Sequence, residues 1–417
     1  MATGDAPRRF VPFDEARATI LAAAAPRVMP AETLPLDDAL GRTLREDIVA
    51  DAPFPAFANS AMDGFAVRAS DVAAAPVELT VLETVAAGRV ATRTVGAGEA
   101  IRIMTGAAMP VGADAVVPVE LTANGAGADR VLVRSAVAAR EHVRPAGEDF
   151  VAGDRLVAAG AVVDAGVIAV MAATGHASAD VSMVPRVAIL STGDELVSPG
   201  DAVGPGQIRD SNTHMLRAMV RAAGCEPGPC WRLMDDPDAV AAAVGRVIEH
   251  CEVIVTIGGV SAGDFDPVKQ ALSRLGEVEL WRVGMRPGQP QAFGVVDGKL
   301  FFGLPGNPVS VAVVFEMLVR PALWTLLGRS SLDRPVVRAV LADAAVSKAG
   351  RRDFLRVTLE ALSVEETKRV GAPYRARLTG TQSSGAVSSV VRAQGLAVVP
   401  DAFDHIDVGT CVDVLSW

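Results

Sequence analysis

Short apolar runs alternate with amphipathic segments in the second half of the chain, from about Val184 onward. The apolar runs predict strands at Val187–Leu190, Glu252–Ile257 and Leu300–Leu304. The intervening segments have helical spacing and predict helices at 211–223, 237–250, 266–276 and from Pro308 onward. Alternating strands and helices are typical of a doubly wound, mostly parallel α/β sheet.

The flanking regions have a different pattern. An alanine-rich helix is expected at 13–25, ended by Pro26 and Pro30, and a second at 164–173 with Asp164 as its N-cap. Between them, residues 32–142 read as a small β-rich module, with short runs at 77–84, 100–104 and 130–133. After Arg334, runs at 336–341, 354–359, 374–378 and 397–399 predict a C-terminal β-barrel or sandwich.

Composition excludes several classes of protein. The 417 residues are 50% hydrophobic and 21% charged, which argues against global disorder. A net charge of −10 and 4% aromatic content argue against a nucleic-acid-binding surface. The longest uninterrupted apolar run, 165–173, is too short to span a bilayer, and no secretory signal is visible. We therefore expect a cytoplasmic protein without nucleic-acid or membrane partners.

Cysteine and histidine spacing does not match a zinc site. The four cysteines lack Cys-x-x-Cys spacing, and the five histidines include no His-Glu-x-x-His pair. Buried structural thiols are the simpler interpretation.

Candidate chemistry lies in three loops that leave the predicted strands. In an open α/β sheet, ligands bind at the carboxyl ends of the strands. The loops contain hydroxyls, glycines and a helix start that suit a phosphorylated ligand, and their carboxylates suit a hard cation. A solvated turn, a glycine turn with an Asp N-cap, or a plain helix cap would explain each loop separately. The candidate residues are Ser191, Thr192, Gly193, Asp194, Glu195, Gly258, Gly259, Ser261, Asp266, Pro305, Gly306, Asn307 and Ser310.

Further candidates lie outside this domain. Asp63 stands in Ser-Ala-Met-Asp-Gly-Phe-Ala, where a β-hairpin turn is the alternative to a functional carboxylate. Arg286 stands in a stiff basic loop, Met-Arg-Pro-Gly-Gln-Pro, and its guanidinium suits an oxyanion. Arg351 and Ser384 add a cation and a hydroxyl in the C-terminal module.

Seven motifs together resemble the molybdopterin molybdenumtransferase (MoeA) family, which is related to the gephyrin E domain. They are SAMDGFAVR, MTGA, STGDEL, DSN, GGVSAGDFD, MRPGQPQAFG and GLPGNPVS, and they span nearly the whole chain. The resemblance implies a multidomain α/β plus β protein whose mostly parallel α/β domain is of the molybdopterin-binding type. It also implies a homodimer with a cleft between the α/β domain of one subunit and the β-rich domain of the other. The expected parts are an N-terminal helix (1–28), a linker domain (29–50 and 143–180), a β-rich inserted domain (51–142), the α/β domain (181–330) and a β-barrel-like domain (331–417).

The family's reaction is the transfer of molybdenum from molybdate onto adenylylated molybdopterin, with magnesium and release of AMP. By motif position, the resemblance implies functional roles for Asp63, Thr105, Glu195, Asp235 and Asp266, of which the last three would bind Mg²⁺. Ser261 and neighbouring glycines would hold the pterin phosphate, and Arg286, Arg351 and Ser384 would hold molybdate, with Ser383 as the alternative to Ser384. Members often carry KPGKP where this chain has Arg286 and Gln289, so one cation is missing.

Two alternatives belong to other classes. The same scaffold in gephyrin clusters receptors, so a catalytically inactive molybdopterin-binding scaffold or carrier is one; the family's carboxylate positions are all acidic here, which favours chemistry. A competence-damage-like pyrophosphatase is the other, but it would leave the SAMDGF motif and the C-terminal module unexplained. The resemblance also implies a molybdopterin adenylyltransferase as supplier, and apo-molybdoenzymes or their chaperones as acceptors.

Overall fold

The computed structural model describes residues 9–259 and 277–417. The predicted helix at 266–276, together with Ser261 and Asp266, lies outside these ranges. The described α-helices are Phe13–Ala24, Ala69–Val72, Ala165–Ala173, Asn212–Ala222, Pro237–Val247, Pro308–Val314, Arg320–Leu326, Val364–Val370 and Ser388–Arg392.

A seven-stranded mixed sheet, here called the central sheet, forms the α/β part of the molecule. Its spatial order is Arg9–Val11, Glu277–Val283, Pro290–Val296, Lys299–Leu304, Val253–Ile257, Arg186–Thr192 and Glu226–Leu233. The last four strands run parallel, and Val253–Ile257 is buried along its whole length, as expected for a strand covered on both faces. The predicted mostly parallel, doubly wound sheet is confirmed, with Pro290–Val296 as an antiparallel insertion.

The Pro308 helix, defined here as the continuous helical segment Pro308–Leu326, forms the centre of the main core. It includes a π-type turn at Phe315–Val319. It is long and apolar enough to cross a bilayer, but 83% of its most apolar window is buried inside the protein. Its charged residues are paired, because buried Glu316 accepts hydrogen bonds from both Arg320 and Arg334 at 2.8 Å. The apolar surface of this helix is therefore accounted for by packing.

The inserted β-rich part contains a six-stranded sheet with its own core. Its order is Ala115–Pro118, Gly64–Val67, Glu99–Ile103, Val77–Val85, Arg130–Val133 and Thr122–Asn124. The alternative hairpin reading of the Asp63 segment is wrong: the strands on either side of it, Asn59–Ser60 and Gly64–Val67, pair with other strands and not with each other.

Short two-stranded ladders and one helix connect the β-rich part to the central sheet. The ladders pair Ala31–Pro35 with Ser178–Ser182, Ile48–Val49 with Arg155–Val157, and Asn59–Ser60 with Val143–Arg144. The helix Ala165–Ala173 begins as predicted, because the Asp164 carboxylate accepts a hydrogen bond from the Val167 amide at 2.9 Å. The domain boundaries stated above remain predictions.

The C-terminal part is a closed β-barrel, which decides between barrel and sandwich. Its strands are Arg352–Ala361, Tyr374–Leu378, Val336–Leu341, Cys411–Ser416 and Gly395–Val399, and the last pairs again with the first. A small ladder joins Ala345–Val346 to His405–Ile406, and another joins Leu196–Val197 to Ile208–Arg209. The basic segment expected to be a loop is partly a strand: Met285–Arg286 pairs with Arg352 and Asp353 of the barrel, which places Arg286 beside Asp353.

Candidate active site

A cavity of about 250 Å³ lies at the carboxyl ends of the parallel strands of the central sheet. Nine residues predicted from the sequence line it together, which is the convergence expected at this edge. They are Ser191, Thr192, Gly193, Glu195, Asp235, Gly258, Gly259, Gly306 and Asn307.

The loop after the strand Arg186–Thr192 carries Glu195 into this cavity. Gly193 has φ +148°, and an added Cβ there would lie 2.5 Å from a Glu195 carboxylate oxygen. The Glu195 side chain could move away from such a Cβ, but the φ of Gly193 lies in a region that other residues rarely adopt, which favours glycine there. Asp194 does not line the cavity; its carboxylate accepts a hydrogen bond from the Asp235 amide at 3.2 Å. Asp194 thus joins the two loops that bring Glu195 and Asp235 to one cavity.

Asp210 and Asn212 are among the cavity-lining residues that the sequence does not identify as site residues. The buried Asp210 carboxylate accepts hydrogen bonds from the Ser191 hydroxyl at 3.2 Å and from the Thr213 hydroxyl at 2.6 Å. The Asn212 side chain donates to the Gly306 carbonyl at 2.7 Å. The Asp-Ser-Asn triplet was the available signal, because both polar residues stand where a strand end turns into a helix.

Close backbone approach explains the glycines of the other two loops. Gly258 has φ +83°, and a Cβ there would lie 3.0 Å from the Thr192 carbonyl oxygen. Of the described atoms, only the Gly258 Cα would lie near a Cβ on Gly306, at 3.9 Å. The start of the Pro308 helix stands at the same place, and its dipole favours an anion there. Pro305 and Ser310 are buried and do not line the cavity.

Asp63 and Thr105 form a separate pair in the β-rich part. The Thr105 amide donates to the Asp63 carboxylate at 2.7 Å and its hydroxyl at 2.8 Å. These bonds, the amide first, hold the pKa of Asp63 below its ordinary value. Gly64 is required beside it, since a Cβ there would lie 2.1 Å from the Val117 carbonyl oxygen. Neither Asp63 nor Thr105 lines the cavity described above.

Replacing Thr105 by valine should raise the pKa of Asp63 part of the way back, because the amide bond remains. The stabilisation from ionised Asp63 is present above its unfolded pKa and is lost as pH falls through the folded one, so the variant should lose it at higher pH. Carboxyl NMR titration measures this shift. Thr92→Val is the matched control, since Thr92 donates to Glu83 at 3.0 Å. An unchanged Asp63 pKa in Thr105→Val would contradict the assignment.

An arginine cluster, defined here as Arg286, Arg351 and Asp353, lies where the barrel meets the α/β part. The fully buried Asp353 carboxylate is 3.3 Å from Arg286 and 3.1 Å from Arg351. Burial raises the pKa of Asp353, while the two guanidinium groups oppose that rise. Arg286 is 41% exposed, so a ligand can reach it.

Ser384 connects the barrel to the Pro308 helix. Its carbonyl accepts a hydrogen bond at 3.0 Å from the Val309 amide, one of the free donors at the helix start. Gln289 is half-buried, and its carbonyl accepts a hydrogen bond from the Val283 amide at 2.8 Å. The residues predicted for an oxyanion thus lie at the junction of barrel and α/β part.

Two carboxylates of the cavity suit magnesium. Glu195 and Asp235 are exposed and line the same cavity, whereas Asp266 lies outside the described residues. Within residues 9–259 and 277–417, no three acidic, histidine or cysteine side chains form a preassembled metal cluster. Mg²⁺ is usually held by one or two carboxylates together with substrate phosphates, so this pair fits it.

The fold and cavity define a multidomain enzyme class built on a molybdopterin-type α/β module with an appended β-barrel. Family models match nearly the whole chain: the MoeA N-terminal region (domains I and II) at residues 11–175, the probable molybdopterin binding domain at 188–325, and the MoeA C-terminal region (domain IV) at 338–417. The chain belongs to the molybdopterin molybdenumtransferase (MoeA) family, whose role is in molybdenum cofactor biosynthesis.

Individual relatives agree with this assignment. Molybdopterin molybdenumtransferase 2 of Mycobacterium tuberculosis is 42% identical over 338 residues, covering 79% of this chain and 83% of that protein. The Staphylococcus aureus molybdopterin molybdenumtransferase is 35% identical over 392 residues, covering 93% and 91%. The crystal structure of a molybdopterin biosynthesis MoeA protein from Pyrococcus horikoshii matches with a TM-score of 0.81 and 27% identity, over 98% of this chain and all of that one.

Proposed function

We propose that this protein transfers molybdenum from molybdate onto adenylylated molybdopterin and releases AMP in a magnesium-dependent reaction. The observation that carries the proposal is the convergence of glycine-rich strand-end loops with Glu195 and Asp235 on one cavity. A pterin nucleotide offers a phosphoanhydride, which needs amide and hydroxyl donors beside a cation site.

The cavity's own residues divide the work. Backbone amides of the glycine-rich loops at Gly259 and Gly306 bind phosphate oxygens. Asp210 orients the Ser191 hydroxyl, since it accepts that hydroxyl's hydrogen bond. Glu195 and Asp235 would hold Mg²⁺, which when bound stabilises negative charge on the phosphoanhydride.

Molybdate, the second substrate, is assigned to the arginine cluster and Ser384. Guanidinium groups bind tetrahedral oxyanions through a rigid fork of donors. Two guanidiniums against one carboxylate leave excess positive charge there. Because the Ser384 carbonyl bonds to the first turn of the Pro308 helix, this site adjoins the loop that carries Gly306.

We further propose a homodimer in which Asp63 and Thr105 of one subunit complete the cleft of the other. The support is that Thr105 holds the ionised Asp63 carboxylate in place by two hydrogen bonds, and that both residues lie outside the cavity. A molybdopterin adenylyltransferase would supply the substrate, apo-molybdoenzymes or their chaperones would take the product, and the reaction would occur in the cytoplasm.

The decisive experiment measures AMP release by the full chain given adenylylated molybdopterin, Mg²⁺ and molybdate, with each omitted in turn. We expect AMP release that depends on molybdate and on Mg²⁺. Tight binding of the pterin nucleotide with no AMP release at any molybdate concentration would instead favour a carrier or scaffold.

A further inference from the structure

In the part of the chain that the structure describes, Arg356 is the largest side chain that is almost completely removed from solvent. It lies on the barrel strand Arg352–Ala361 and is 1% exposed. Among the residues that the structure describes, no carboxylate forms an ion pair with it, whereas Arg286 and Arg351 both pair with Asp353. An unpaired charge is costly to bury, so its contacts must account for its position.

Among the described residues, the hydrogen bonds of the Arg356 guanidinium all go to the segment 381–389. The Arg356 guanidinium donates to the carbonyls of Thr381 and Ser383, each at 3.2 Å, and to the Ser389 hydroxyl at 2.9 Å. Its backbone amide and carbonyl bond to the two ends of the Gln382 amide, at 2.9 and 3.2 Å. One residue thus fixes the segment from both its side chain and its backbone.

The same segment contacts the Pro308 helix. Ser384 follows directly after Ser383, whose carbonyl Arg356 holds, and the Ser384 carbonyl accepts the Val309 amide at 3.0 Å. Arg356 is therefore linked to the helix start beside the glycine-rich cavity by two hydrogen bonds and the peptide bond between Ser383 and Ser384.

The charges around this path do not balance. Three guanidiniums (Arg286, Arg351 and Arg356) and one carboxylate (Asp353) leave three minus one, or two, positive charges. Burial, together with the nearby charge of Arg286, lowers the pKa of Arg356 to about 10, so the guanidinium remains charged at neutral pH. A charge of plus two, of which the Arg356 part is buried, favours a doubly charged anion over a singly charged one.

We propose that Arg356 is a positioning residue for a doubly charged tetrahedral oxyanion: it sets Ser384 in place and supplies buried charge that no carboxylate neutralises. The assignment rests on the proposed function, which places molybdate at Arg286, Arg351 and Ser384. Arg356 acts through the 381–384 segment and does not itself touch the reacting atoms.

The test compares the full-length wild type with Arg356→Met and Arg356→Lys. Arg338→Met is the matched control, because Arg338 is a barrel arginine paired with Asp413 on the exposed side. Molybdate, sulfate and perchlorate are titrated calorimetrically, and molybdate KM and kcat are measured by AMP release. Melting temperature and AMP affinity report on the fold and on the cavity.

Arg356→Met should weaken molybdate and sulfate binding and raise the molybdate KM by roughly tenfold or more, the loss expected for hydrogen bonds made by a charged group. AMP affinity, and kcat at saturating molybdate, should stay close to the wild type. Arg356→Lys should lie between, since it keeps the charge and loses the fork. Perchlorate should bind weakly to every variant, and Arg338→Met should match the wild type.

A folded Arg356→Met protein with wild-type molybdate affinity and KM would overturn the inference. If that variant does not fold, Arg356→Lys decides, and a wild-type KM there overturns it equally. A wild type that binds no molybdate would instead count against the proposed function, so the two failures are distinguishable.

Discussion

A heterodimer of one Asp63→Asn chain and one Glu195→Gln chain is expected to retain about half of the wild-type rate of AMP release. Each variant homodimer should lose roughly a hundredfold, the usual cost of removing a catalytic carboxylate or a cation ligand. In the proposed dimer, one cleft of this heterodimer would combine the intact α/β part of the first chain with the intact β-rich part of the second. The other cleft carries both substitutions. One working site of two gives the expected half.

This experiment needs two affinity tags so that the heterodimer is purified apart from the homodimers. Both substitutions replace exposed carboxylates by amides of the same shape. Glu195→Gln should hardly change the melting temperature. Asp63→Asn should lower it slightly, because the charge stabilised by Thr105 is lost. In the matched control, one chain carries both Asp63→Asn and Glu195→Gln, and its partner is wild type. If the clefts are shared between subunits, each cleft then carries one substitution. If each cleft lies within one chain, the wild-type chain keeps a complete cleft. A first heterodimer as inactive as the homodimers would show that Asp63 serves the cavity of its own chain.

Gly306→Val is expected to weaken AMP binding by about a hundredfold or more while the protein stays folded. Among the described residues, a Cβ at this position has only the Gly258 Cα within 4 Å, at 3.9 Å, so the added methyls enter the cavity and not the core. A cavity of about 250 Å³ has little spare room for them. Lost phosphate contacts of the charge-assisted kind account for the size of the effect.

Gly306→Ala should have a smaller effect of the same sign, which makes the series graded. Gly245→Ala is the control, because that helical glycine also has open space around its Cβ position and lies away from the cavity. Calorimetric AMP titrations and melting curves separate binding from stability. AMP affinity that does not change along the Gly306 series would place the nucleotide elsewhere.

The parallel strands and the three loops were predictable because local pattern decides them. A short, mostly apolar run such as Val253–Ile257, followed by glycines, is typical of a strand covered on both faces, and parallel topology then brings the carboxyl ends of such strands together. The start of the Pro308 helix and the Asp164 cap follow equally from neighbouring residues. Most of the cavity lining could therefore be named without the structure.

Features of the fold and the site that depend on residues far apart in the chain could not be predicted from the sequence. The strands Glu277–Val283 and Pro290–Val296 were missed, because their places depend on distant partners more than on a strong local pattern. Arg356 carries no local signal, since a single arginine in a strand normally points to solvent and its partners lie 25 to 33 positions away. The sequence identifies Asp210 only as part of the Asp-Ser-Asn triplet, because its hydrogen-bond partner Ser191 lies 19 positions away in the chain.

During synthesis of the chain, the edge strand Arg9–Val11 is made long before the strand with which it pairs. It pairs in parallel with Trp281–Val283, so Arg9 and its partner Trp281 lie 272 positions apart (281 minus 9). At ribosomal rates of about 5–20 residues per second, the N-terminal strand waits roughly 14 to 54 s for its neighbour to emerge. A fragment cut to the α/β region alone would never receive it, and its strand Glu277–Val283 would remain an open edge available to other chains. A fragment designed to contain the α/β region should therefore also include residues 9–24.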